Sequence, residues 1–241
     1  MECGVEHLFC NLGTDHVGLI EAMAQFKRLG RPQLRVVLCP HENVALHRAG
    51  GYATVTGCGQ GVLVHVDAGT ANAAMGMHKL FRSRLPVLLM AGRAPFTLRG
   101  GLPGARDNYV HYVQDPFDIG SLVRPYVMWS LPSGVVTKEV LRRAHTVLQS
   151  DPPGPVYLTL PRATLAETWA PGRVAWLPGP AAWRRAQRRL ERRAGRRDRP
   201  APDARRAPGG HHRLPGPAAG LRPALAAALC QPRCGHRLAS N

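Results

Sequence analysis

The stretch Val36-Val37-Leu38-Cys39-Pro40-His41-Glu42-Asn43, with its continuation to Gly57, constrains this chain more than any other part of it. Val36–Cys39 is a short unbroken apolar run, the pattern of a buried strand in a parallel sheet. Pro40 and His41 end it with a turn. From Asn43 to Thr56 the residues Val44, Ala45, Ala49, Tyr52 and Ala53 share one helical face. A strand passing straight into a helix commits the chain to β-α units whose parallel strands are joined by right-handed crossovers. It also sets Glu42 at the carboxyl end of a strand and in the first turn of a helix, the edge at which open α/β sheets bind ligands. An acidic residue there complements the helix dipole in any case. In dry surroundings the same carboxyl is also suited to proton exchange.

The same alternation recurs along the first two thirds of the sequence. Strands are expected at Glu6–Asn11, Arg35–Cys39, Gly61–Asp67, Pro86–Gly92, weakly at Tyr126–Trp129, and at Pro155–Leu160. Helices are expected at His16–Leu29, Asn43–Thr56, Thr70–Ser83 and Thr137–Gln149, and a long polar loop over Arg93–Gln114. The expected fold is α/β: a doubly wound, mostly parallel six-stranded sheet with helices on both faces. No apolar run is long enough to span a membrane, and the start MECGVEHLF lacks the basic and apolar regions of a signal peptide, so a cytoplasmic protein is expected.

The net charge of +17 suggests a nucleic-acid binder until its distribution is read. Ala181–Asn241 holds 15 arginines against 3 acidic residues, a balance of +12, so the excess belongs to the C-terminal segment. That segment has no Val, Ile, Phe, Tyr, Met, Thr or Lys and is crowded with Arg, Ala, Pro and Gly. Such a composition cannot bury enough apolar surface to offset its ordering entropy. The expected division is a folded domain over residues 1–170 and a disordered basic tail over 171–241. The tail reads either as a phosphate-binding arm or as the out-of-frame product of a GC-rich gene, and the second is favoured, so nucleic acid is not the expected partner. The cysteines at 3, 10, 39, 58, 230 and 234 show no framework spacing and read as reduced thiols. Cys230, Cys234 and His236 match no common zinc pattern, and no metal site is expected.

Two long segments, HENVALHRAGGYATVTG from His41 and GVLVHVDAGTANAAMGMHKLFRSRLPVLLMAG from Gly61, are joined in order by NLGTD at Asn11 and GPVYLTLPR at Gly154. Together, from about Val5 to Ala166, they resemble the N-terminal pyrimidine-binding domain of thiamine-diphosphate-dependent enzymes, in the acetolactate synthase and benzoylformate decarboxylase group. Several separated motifs at compatible spacings make this a specific signal.

The resemblance implies thiamine diphosphate as cofactor and a 2-oxo acid as substrate. Glu42 matches the glutamate that hydrogen-bonds the aminopyrimidine and favours its imino tautomer. His65, in VHVDAGTAN, matches a histidine that relays protons to substrate intermediates, a task that suits a group titrating near neutrality. A strand-end histidine bonded to a backbone carbonyl is an equally good reading. Gly13, Thr14, Glu42, Gly69, Thr70 and Asn72 are the implied cofactor-binding residues, and Gln114 and His111 the implied residues of the substrate pocket. Asn108 lies in the same loop. The turn Asp67-Ala68-Gly69 departs from the Gly-Pro-Gly usual in acetolactate synthases, and Asn11-Leu12-Gly13-Thr14 replaces a common Gly-x-Pro-Gly loop.

The resemblance further implies that Mg2+ and the diphosphate are held by a Gly-Asp-Gly on another domain, and no Gly-Asp-Gly occurs in these 241 residues. FAD is not expected. The expected function is therefore the pyrimidine half-site of a decarboxylase or synthase, truncated and inactive alone. It would depend on a diphosphate-binding domain in trans and on a dimeric or higher assembly. The alternatives are one subunit of a split enzyme, or a basic protein acting through its arginine tail. Relatives also place a helix before the first strand, so an uncovered apolar face is expected here.

Overall fold

In the computed structural model, residues 4–106, 116–131 and 138–168 are described. Six strands form one parallel sheet: β1 His7–Cys10, β2 Arg35–Leu38, β3 Gln60–Val64, β4 Val87–Arg93, β5 Trp129–Leu131 and β6 Val156–Pro161. Their order across the sheet is β2-β1-β3-β4-β6-β5, with every pair parallel. The order turns back on itself between β1 and β3, where successive connections go to opposite sides. The helices are α1 Val17–Arg28, α2 Glu42–Thr56, α3 Val66–Arg82, α4 Lys138–Leu148 and the short α5 Arg162–Leu165. This is the α/β class expected from the alternating pattern.

The alternation of side chains along each strand divides the core in two. On one face Phe9, Val62, Val64, Leu89, Ala91 and Tyr157 pack against α2 and α3 through Leu46, Ala49, Ala73 and Met77. On the other, Leu88, Val156 and Leu158 meet α4 through Ala144 and Leu148, while Leu8, Cys10, Leu63 and Leu160 meet Leu19 and Met23 of α1. The central strands β3 and β6 are buried at every residue, as near-continuous apolar runs in a parallel sheet should be.

The strand from which burial was most plainly expected departs from that rule. β2 is the sheet edge, and its residues are mostly exposed. In a parallel pair, residues in register point the same way, so Val36 and Leu38 lie beside Leu8 and Cys10. Among the described residues no helix covers them: Val36 is 42% and Leu38 69% exposed. α1 has no buried residue and leaves Val17, Ile20, Phe26 and Leu29 open as well. An apolar run records that a strand is apolar on both faces; it does not record whether both faces are covered.

Two boundaries and the state of one cysteine differ from expectation. Helix α3 begins four residues before Thr70, at Val66. The weak strand lies at Trp129–Leu131, because Arg124–Tyr126 forms a 3-10 turn with Pro125 in it. Cys10 and Cys39 are free and buried, but Cys58 is disulfide-bonded, with its partner outside the described residues. Pairing depends on the approach of two Cα atoms, which cysteine spacing does not report. The tail, with Cys230, Cys234 and His236, also lies outside the described residues. Among the described residues no helix is long and apolar enough to cross a membrane.

Candidate functional site

Three strand exits meet at one edge of the sheet. Asn11 follows β1 and is tied to β3 by its N–H, which donates to the Leu63 carbonyl at 3.1 Å. His41 follows β2 and caps α2, its Nδ1 accepting the N–H of Asn43 at 3.1 Å. His65 follows β3 and precedes α3. β1 and β3 are neighbours at the reversal of strand order, the place where other open sheets hold ligands, and the N-terminal turns of α2 and α3 meet beside it through Glu42 and Asn72.

Glu42, the first residue of α2, is only 6% exposed. Its two carboxyl oxygens are held from two elements: Asn11 Nδ2 donates to Oε1 and Asn72 Nδ2 to Oε2, each at 3.0 Å. Burying a carboxyl without such donors costs several kcal/mol. Each oxygen keeps a further lone-pair direction, so the clamp fixes the group without using it up.

A second acidic group lies behind His65. Asp15, within the 3-10 turn Thr14–His16, is buried and meets His65 Nδ1 through Oδ1 at 2.6 Å. Its Oδ2 lies 3.2 Å from His16 Nε2, in contact but without hydrogen-bond alignment. His16 is buried and accepts the Gly13 N–H on Nδ1 at 3.0 Å. The carboxylate needs room, and glycines provide it. A Cβ on Gly92 of β4 would stand 1.3 Å from Asp15 Oδ2, and one on Gly13 would stand 2.0 Å from His65 Nδ1.

These contacts separate the affinities of the three groups for protons. Burial alone would raise the Asp15 carboxyl, but the His65 hydrogen bond and the nearby imidazoles outweigh it and hold Asp15 below the usual carboxylate range. Burial pushes His16 down, against the pull of Asp15. The Asp15 hydrogen bond lifts His65 above its ordinary value despite partial burial, and the charges of Asp15, Asp67 and Glu42 add to it. The contribution of Glu42 places the two candidate proton-exchanging groups within electrostatic reach of each other.

Between β3 and α3 there is no turn, only His65. Val66 takes up the change of direction with φ of +34°, a strained value for a β-branched residue. The early helix start alters the setting of three candidates. Gly69 lies in the first turn, with room for a Cβ only 3.0 Å from the Val64 side chain. Thr70 is buried and turned into the core, donating to the Val66 carbonyl and paired with the Tyr157 hydroxyl at 3.0 Å. Asn72 alone of the three reaches Glu42. Thr14 is exposed at the rim, where Arg106 Nη1 donates to its hydroxyl at 3.1 Å and Arg162 Nη1 to its carbonyl. Gln114, His111 and Asn108 lie outside the described residues.

Sequence reasoning gave no role to the Asn11 side chain, Asp15 or His16. Asp15-His16 looks like an ordinary helix start, and His65 lies 50 residues further on. Only the pairing of β1 with β3 brings them together.

An open parallel sheet with a clamped carboxyl and a carboxylate-backed histidine at its reversal point defines a ligand-binding α/β domain. The family described as thiamine pyrophosphate enzyme, N-terminal TPP binding domain, matches residues 1–122, and the chain belongs to it. It is 27% identical over 170 residues to the acetolactate synthase large subunit of Buchnera aphidicola subsp. Acyrthosiphon pisum, covering 67% of this chain and 26% of that one. It is 26% identical over 161 residues to the benzoylformate decarboxylase of Pseudomonas aeruginosa, covering 66% and 27%. Among solved structures, the thiamine diphosphate-dependent 4-hydroxybenzoylformate decarboxylase of Rhodococcus jostii RHA1 superposes with a TM-score of 0.57 at 25% identity, over 72% of this chain and 30% of that one. The chain spans about a quarter of the length of these curated relatives.

Proposed function

We propose that residues 1–170 supply the pyrimidine half of a thiamine diphosphate site, with Glu42 as the carboxyl that exchanges a proton with the aminopyrimidine and His65 as the acid–base group on the substrate side. The observation that carries this reading is the clamp of Asn11 and Asn72 on Glu42, a buried carboxyl aimed from the sheet edge with lone pairs to spare. Gly13 and Gly69 line the same edge as backbone that approaches closely, and Asn72 serves through Glu42. Thr70 shapes the start of α3 from within the core, and Thr14 marks the arginine-lined rim. His111 and Gln114 are proposed for the substrate side.

Thiamine diphosphate, when bound, supplies a carbon nucleophile for making or breaking a bond beside a carbonyl. The residues present fit its pyrimidine: a carboxyl at a ring nitrogen, held in a dry and fixed position. The reaction class is cleavage or formation of a carbon–carbon bond on a 2-oxo acid, in the manner of a decarboxylase or acetolactate synthase. The Mg2+ and diphosphate grip comes from outside these 241 residues, from a domain or subunit in trans within a dimeric or larger assembly.

Two or three hydrogen bonds at about 0.5–1.5 kcal/mol each fall near or below the roughly 4 kcal/mol of millimolar binding. The full chain should therefore bind thiamine only weakly. With tens of millimolar thiamine, NMR should show shifts at the side-chain amides of Asn11 and Asn72, and Glu42→Gln should abolish them. Shifts that persist in Glu42→Gln, or none at these amides, would reject the role of Glu42. Micromolar binding of thiamine diphosphate by the chain alone would reject the half-site.

A further inference from the structure

We propose that Asp15, braced by His16, is a positioning residue that fixes the tautomer of His65, with the proton on Nδ1 and the lone pair on Nε2, the nitrogen turned away from Asp15. This rests on the reading of His65 as the acid–base group, and it names what makes that histidine a directed proton acceptor rather than a freely tautomerising one.

The geometry begins at a backbone amide. The Gly13 N–H donates to His16 Nδ1 at 3.0 Å, so the proton of neutral His16 is on Nε2. That N–H faces Asp15 Oδ2 at 3.2 Å. His65 Nδ1 meets the other oxygen, Oδ1, at 2.6 Å. A buried carboxyl that is hydrogen-bonded to one ring nitrogen and has a second N–H beside its other oxygen, in contact though not aligned, is most stable as the anion, which requires the His65 proton on Nδ1. The reverse arrangement, a protonated Asp15 donating to His65 Nδ1, would leave the His16 N–H facing a neutral group.

The surroundings favour at most one positive charge on the pair of histidines, and place it on His65. Two imidazolium ions sharing one carboxylate would repel each other, and His16 is fully buried whereas the His65 side chain is 31% exposed. Burial disfavours the charged form of His16. The charged groups acting on His65 are Asp15 from the 3-10 turn, Asp67 on its own helix and Glu42 on α2, all favouring its protonated form. Arg162 on α5 donates to the Thr14 carbonyl, next to Asp15, and also feels the carboxylate. Gly13 and Gly92 keep the arrangement closed, since a Cβ at either would strike His65 or Asp15.

The tautomer is directly readable. In the full chain labelled with 15N-histidine, long-range 1H–15N correlations distinguish Nδ1–H from Nε2–H imidazoles, with His65→Gln and His16→Gln as assignment controls. We expect neutral His65 in the Nδ1–H form with a midpoint above 6.5, and His16 in the Nε2–H form without protonation while the fold persists. In Asp15→Asn the His65 midpoint should fall and the Nδ1–H preference should disappear. Wild-type His65 in the Nε2–H form, or an unchanged midpoint in a folded Asp15→Asn, overturns the proposal. If Asp15→Asn does not fold, the wild-type tautomer decides alone. The thiamine titration reads Asn11, Asn72 and Glu42 and no histidine, so either conclusion can fail without the other.

Discussion

Asn72, seven residues into α3, gives its side-chain amide to Oε2 of Glu42, the first residue of α2, across 3.0 Å. The bond joins the N-terminal turns of the helices that follow β2 and β3, the strands on either side of β1, and it is supported below by Gly76 of α3, where a Cβ would stand 2.8 Å from Leu46 of α2. The helices can pack this closely only with a small residue at the crossing, and that closeness brings the amide within reach of the carboxyl.

Removing the amide should leave a buried carboxyl oxygen without a donor. Asn72→Ala is expected to lower stability by about 1–3 kcal/mol, read from urea unfolding midpoints at pH 7. Asn72→Asp should cost more, because it sets a second carboxylate against the first. An Ala variant as stable as wild type would show that the clamp contributes nothing.

Gly92→Ala tests the packing beneath Asp15. The added methyl occupies the place of Oδ2, 1.3 Å away, so either β4 or the 3-10 turn must shift, at about 1–3 kcal/mol. Gly51→Ala on α2 is the control: a Cβ there meets nothing within 4 Å, and the change should stabilise the helix by about 0.5–1 kcal/mol. Equal thermal shifts for the two variants would contradict the geometry.

The buried Thr70–Tyr157 pair makes a coupled prediction. The Tyr157 hydroxyl is pushed up to about 12 by burial, partly offset by its bond to Thr70. Thr70→Val leaves that hydroxyl unpaired and should cost about 1–3 kcal/mol. Tyr157→Phe added to Thr70→Val should recover part of the loss, a non-additive result in a double-mutant cycle. Strict additivity would mean that the two hydroxyls do not depend on each other.

The pH dependence of stability follows from opposite shifts. His65 is raised, so its pairing stabilises the fold fully below its unfolded value near 6.5 and is lost as pH rises through the higher folded value. His16 is lowered, so its contribution is present above about 6.5 and lost as pH falls through its folded value. The difference in Tm between wild type and His65→Gln should thus shrink from pH 6 to pH 9. For His16→Gln it should shrink on going down from pH 7. Flat differences in both series would remove the shared carboxylate from the account.

Much of this protein is legible in short runs of residues. The apolar runs Gly61–Val64 and Val156–Leu160 state their strands, and Glu42 lies where a strand must meet a helix, whatever surrounds it. The start of α3 was not legible, because Val66 continues the apolar character of β3 although its backbone has already turned. β2 could not be told from a central strand, because composition is blind to position in the sheet.

The chain by itself determined the alternating architecture, its family likeness and the carboxyl at the strand exit, since each is written in local periodicity and motif. Only the tertiary structure decided what surrounds that carboxyl and what stands behind His65. Asn11 and Asn72 reach Glu42 from 31 and 30 residues away, and Asp15 reaches His65 from 50. Contacts at such separations exist only after parallel strands have been placed side by side, and the order of strands is settled by packing of both faces together rather than by any one segment.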